Sequence, residues 1–114
     1  MKNLLEIDGV KAFIEFDPDI ELFRGEFIGL NGSADFYAED IAGLKKEGKV
    51  SLDVFYAMCS EKGIEPKKHY SGRFNVRIPS QLHEKIVMHA QSEHKSLNQW
   101  IEDTLKQNLQ QETA

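Results

Sequence analysis

The alternation of apolar and polar positions divides the chain into two contrasting stretches. Val10-Lys11-Ala12-Phe13-Ile14-Glu15-Phe16 is largely apolar with charges interleaved, which predicts a strand. Asp17-Pro18-Asp19 follows as a turn, because proline presets φ and aspartate stabilises the bend. Glu21 to Leu30 predicts a second strand. Asn31-Gly32 predicts a two-residue hairpin, since a type I′ turn needs φ > 0 at both central residues. Ser33 to Tyr37 is then a short third strand, and the three strands form a small antiparallel meander.

From about Glu39 to Glu61 the apolar spacing becomes helical. Ile41 and Leu44, then Leu52, Phe55, Tyr56 and Cys59, recur three and four residues apart. Gly43 and Gly48 each weaken such a helix by about 1 kcal/mol relative to alanine, and Gly48 is a candidate kink. Gly63 is a natural helix stop and Pro66 prevents resumption. The polar run from Glu65 to Gly72 reads as a boundary. The predicted organisation is a front domain at 1–65, a linker at 66–72 and a second module at 73–110. A three-stranded sheet under one helix has a marginal core by itself, so oligomerisation or a partner is expected to support it.

After Gly72 the pattern sharpens. Arg73-Phe74-Asn75-Val76-Arg77-Ile78 alternates without exception, so Phe74, Val76 and Ile78 share one strand face and Arg73, Asn75 and Arg77 the other. Pro79 ends this strand, and Ser80 is read as the N-cap of a helix running to about Glu93. Leu82, Ile86 and Ala90, with Val87 alongside, form its apolar stripe. His94-Lys95 is a short turn, and Ser96-Leu97-Asn98-Gln99 fits a capping box for a second helix striped by Leu97, Ile101 and Leu105. A lone strand must pair with something. Pairing with its own copy gives a two-stranded ribbon over four helices, with Phe74, Val76 and Ile78 in the dimer core. Two copies of Arg73, Asn75 and Arg77 then face outward, a ribbon that fits the major groove, where arginine reads guanine and asparagine reads adenine. Ser96, Leu97 and Asn98 bring the N-terminus of the second helix toward a DNA phosphate.

Composition refines this picture without replacing it. The net charge is −5, which looks wrong for a DNA binder. The charge is uneven, however: residues 1–70 hold 14 acidic and 9 basic side chains, whereas residues 71–114 hold 5 of each. The acidity lies in the front, and a neutral tail binds DNA if its cations share one face. No apolar run approaches the ~20 residues of a membrane span. Glu6 and Asp8 interrupt any apolar leader near the start, so a cytoplasmic location is expected. The single cysteine, Cys59, excludes an internal disulfide and a Cys-based zinc site, and a buried, inert thiol is expected.

These motifs resemble a known arrangement. Residues 72–105 are similar to the ribbon-helix-helix family, in the variant carrying Gly-Arg-Phe-Asn-Val-Arg-Ile-Pro, then Leu82-His83, then Ser96-Leu97-Asn98-Gln99-Trp100. Phe16-Asp17-Pro18-Asp19, Phe23-Arg24-Gly25, Glu39-Asp40-Ile41 and the run from Cys59 to Pro66 resemble the front of HicB-type antitoxins. The resemblance spans roughly Val10 to Leu105 and implies an α+β protein: a reduced RNase H-like front domain followed by a ribbon-helix-helix module. It further implies a type II toxin–antitoxin role. The front would sequester a small mRNA-cleaving toxin of the HicA kind, and the tail would repress the operon as a dimer, possessing no enzymatic activity of its own. An acidic front suits a basic RNA-binding partner.

Other readings stay open at this level. Arg73, Asn75 and Arg77 also fit a solvated strand face. A stand-alone ribbon-helix-helix regulator without a toxin is the alternative function. His83, His89 and His94 invite a metal, but separations of six and five residues do not align on one helix face, so no metal and no cofactor are expected. Asp17, Asp19, Asp35, Glu39 and Asp40 suggest a metal-dependent nuclease, yet a turn and a helix N-terminus account for four of them. Trp100 is expected in a core or interface.

Overall fold

The computed structural model describes residues 3–112. It is an α+β structure with a four-stranded antiparallel sheet and, among the described residues, three helices. The chain divides into two compact units between Tyr70 and Ser71.

The front unit contains β1 (Leu4–Ile7), β2 (Val10–Asp17), β3 (Leu22–Phe27), β4 (Asp35–Ala38) and α1 (Ile41–Lys62). The strands lie in sequence order, each antiparallel to the next. The expected three strands are therefore corrected to four. The additional strand, β1, is joined to β2 by Asp8-Gly9, with Ile7 opposite Val10. Both turn residues have positive φ, 48° and 81°, which is the type I′ requirement. The Asp-Gly pair is thus the signal that could have located β1.

The Asn31-Gly32 hairpin is also corrected. Asn31 is absent from the positive-φ residues, so a type I′ turn is excluded. Phe27 N–H donates to Ala34 O, and the intervening loop is drawn toward a distant partner. Lys68 N–H donates to Gly29 O and Asn31 N–H to Pro66 O, each at 2.8–2.9 Å. The Asn31 side chain adds a bond to Glu65 O. The start of the expected linker is therefore hydrogen-bonded into the front unit. The Asp17 turn forms as an Asx turn, with the Asp19 N–H donating to Asp17 Oδ1 at 3.0 Å.

α1 begins at Asp40, whose Oδ1 accepts from Gly43 N–H at 2.7 Å. It ends at Gly63 in the left-handed region, where the Ile64 N–H returns to Cys59 O. Leu44, Gly48, Leu52, Phe55 and Cys59 recur every three or four residues and bury one stripe of the helix. The stripe lies over Ile7, Val10, Ala12, Phe27 and Phe36 of the sheet, forming one core. No kink divides the helix at Gly48: α1 is one element of 22 residues. A Cβ on Gly48 would lie 2.4 Å from Ile7 Cδ1 and 3.2 Å from the Phe36 ring, so the missing side chain lets α1 approach the sheet. The helix propensity lost at this position is offset by that packing.

Gly25 serves the same ring from below. It pairs with Phe36 across β3 and β4, and a Cβ there would lie 2.3–2.8 Å from three Phe36 ring atoms. We expect Gly25→Ala to destabilise the front unit by about 1–3 kcal/mol through overpacking. That exceeds the ~0.4–1 kcal/mol gained by restricting the unfolded chain. Urea denaturation of the full chain measures this; an unchanged or raised midpoint would mean that Phe36 moves aside freely.

The second unit contains α2 (Ser80–Ser92) and α3 (Leu97–Glu112). Ser80 is the first helical residue rather than the N-cap. Pro79 occupies the cap position without a side-chain bond, and its carbonyl accepts the first helical bond, from His83 N–H. The helices are joined through His94 at φ 58°, with Lys95 N–H donating to Ala90 O and His94 N–H to Gln91 O. This is a Schellman stop with histidine where glycine is usual.

Candidate nucleic-acid interface

Within the second unit, the strand expected at 73–78 from alternation is not formed. Residues 73–79 carry no regular secondary structure, and among the described residues the segment has no strand partner. Its apolar members nevertheless converge. Phe74, Val76 and Ile78 line one groove with Ile86, Leu97 and Ile101, enclosing about 640 Å³. Arg73 and Asn98 reach the same groove, whereas Asn75, Arg77 and Ser96 do not line it.

This unit lacks a self-sufficient core. Ala90 is its one buried hydrophobic residue among those described. Phe74 and Val76 remain 71% and 67% exposed, and Leu82, Met88, Leu105 and Leu109 are exposed as well. Such a concentration of apolar surface on so small a unit marks an interaction site.

Arg73, Asn75 and Arg77 are all exposed. The backbone at Arg73 is turned by Ser71, whose hydroxyl accepts from Arg73 N–H at 3.1 Å. Ser96 caps α3, its Oγ accepting from Gln99 N–H at 3.1 Å. The Gln99 side chain does not complete the capping box. It bonds forward to Glu102 and Asp103 at 3.1 and 2.9 Å. Leu97 is half-buried and Asn98 exposed at the first turn of α3, so the helix start is only partly used by the chain itself.

The turn before α3 is fastened by charge. Lys95 pairs with Asp103 at 2.9 Å and with Glu93 at 3.9 Å. The Lys95 hydrogen bond, followed by that of Gln99, holds the Asp103 carboxyl below its usual range, and the same bond raises Lys95. Trp100 donates through Nε1 to Glu93 at 2.5 Å and packs against His89 with ring centroids 6.1 Å apart. His89 thus serves an aromatic contact. Among the described residues no group of three His, Cys, Asp or Glu side chains is arranged to hold a metal.

The front unit presents no comparable gathering of the expected carboxylates. Asp17 stabilises its turn, Asp40 caps α1, and Asp35 pairs with Arg24 at 3.2 Å. Arg24 also pairs with Glu26 at 3.0 Å, a residue the sequence reading did not single out. These bonds, Glu26 foremost, raise the Arg24 pKa. Cys59 is buried at 1% exposure. No helix among the described residues is long and apolar enough to cross a membrane.

Comparison with known proteins bears on the same segments. A model of the HicB family matches residues 55–105, from the later turns of α1 into α3. Over that span the chain is similar to this family. No curated protein and no solved structure matches the chain significantly.

Proposed function

We propose that this chain is the antitoxin of a type II toxin–antitoxin pair. Its front unit neutralises a HicA-like mRNA-cleaving toxin, and its second unit represses the operon by binding operator DNA as a dimer. The observation that carries the reading is the match to the HicB family across residues 55–105. The exposure of Phe74 and Val76 beside Leu97 and Ile101 supports the dimer. A second copy of the 73–78 segment would bury these side chains and supply the missing strand partner in one step. The excluded face of the resulting ribbon would present Arg73, Asn75 and Arg77 to base edges, and the starts of the two α3 helices, through Ser96, Leu97 and Asn98, would meet phosphates.

The test is a titration of the full chain against its own upstream DNA, beside the Arg73/Asn75/Arg77→Ala variant. Tight, salt-sensitive binding is expected from the parent chain. The triple variant is expected to lose specific affinity by at least the ~1–3 kcal/mol of a single bidentate base contact. Equal affinity in both proteins would remove this face from DNA recognition.

A further inference from the structure

Within the front unit, α1 packs on one face of the sheet. Strand alternation places Phe13, Glu15, Arg24, Glu26, Asp35 and Tyr37 on the other. An open antiparallel face is normally polar and solvated. This one departs from that pattern in two respects. Phe13 and Tyr37 stand on it 41% and 42% exposed. Its charge is also lopsided: Glu6, Glu15, Asp17, Glu26 and Asp35 share the face with only Lys11 and Arg24.

The centre of the face is organised. Arg24 stands opposite Glu15 on one side and Tyr37 on the other. Its guanidinium is held by Glu26 and Asp35 at 3.0 and 3.2 Å. The central cation is therefore already neutralised, and it fixes the position of two carboxylates. Aromatic anchors within an ordered acidic surround are the composition of a protein-binding surface, where aromatics supply affinity and charge supplies steering.

We infer that this open sheet face is the docking surface for a basic protein partner, which seats on Phe13 and Tyr37 with its cations against the surrounding carboxylates. The inference rests on the antitoxin reading and names the part of the front unit that meets the toxin. The competing surface is the exposed apolar flank of α1 at Val50 and Val54.

The probe is a catalytically inactive HicA-type toxin, and the measurement is its Kd for the full chain by calorimetry. Phe13→Ser combined with Glu15→Lys should weaken binding at least 100-fold, while Val50→Lys combined with Val54→Lys should change it less than threefold. Thermal midpoint and operator affinity of each variant control for folding. Should the Phe13 variant fail to fold, Glu15→Lys with Asp17→Lys replaces it, with at least a tenfold loss expected. Toxin binding unaffected by the face variants would overturn the docking surface and leave the antitoxin reading intact. No binding by the parent chain would overturn the antitoxin reading, and the docking surface with it.

Discussion

Ile78→Glu is expected to abolish the proposed dimer and, with it, the proposed operator binding. Ile78 is half-buried in the groove with Phe74 and Val76, two side chains that the single chain leaves largely exposed. In the proposed dimer this surface becomes the interior beneath the ribbon. A carboxylate there would be buried among apolar side chains, and the basic side chains that line the groove, Arg73 and His83, are themselves exposed to solvent. An uncompensated buried charge costs about 3 kcal/mol or more. Two copies enter each dimer, so dimerisation should weaken by roughly 10⁴-fold. Sedimentation equilibrium at micromolar concentration reads this directly. A dimer that persists would place the self-association surface elsewhere in the chain.

The second large effect concerns the front unit. Leu52 is fully buried at the centre of α1, between Gly48 and Phe55 on the stripe that faces the sheet. Leu52→Ala removes its contacts and leaves a void that a sheet and one helix cannot collapse fully. The expected cost is about 2–5 kcal/mol. A core of this size rarely supplies more than about 3–5 kcal/mol, so much of the front unit should be unfolded at 25 °C. Urea titration followed by far-ultraviolet circular dichroism would show the front-unit transition shifted toward zero denaturant. A loss under about 1 kcal/mol would mean that neighbouring side chains refill the site. The substitution lies outside the second unit, whose helices should keep their own signal.

The contrast between local and distant partners explains what was legible in the sequence. Asp40 and Gly63 bound α1 because capping is decided within one turn, and both are visible as residue types. The His94 turn and the Ser96 cap are local in the same sense. Asn31-Gly32 misled because its fate depends on Pro66 and Lys68, more than thirty residues away. Asp8-Gly9 carries the same kind of signal and does form the tight hairpin, since both flanking strands have partners ready. Gly48 was read through propensity alone; its value lies in Ile7 and Phe36, which no helical period reveals. In the second unit Phe74, Val76 and Ile78 line one groove, but Arg73 lines it with them, so alternation alone did not divide the segment. It could not supply a strand partner, because none is encoded within the described part of a single chain. The acidic sheet face was invisible as a face until the register of β2, β3 and β4 brought Glu15, Arg24 and Tyr37 into one row.

Cys59 gives the front unit a built-in clock. It is the sole cysteine of the chain, and it sits on the buried stripe of α1 that faces the sheet. A thiol reagent reaches it only when the helix lifts from the sheet. Where closing outpaces modification, the labelling rate is proportional to the open fraction, and so measures the opening free energy of one unit without interference from the other. A partner that binds only the closed form slows the reaction by the factor 1 + [L]/Kd. Capture of a toxin could therefore be followed in time, in the full chain, without attaching any probe to either protein beforehand.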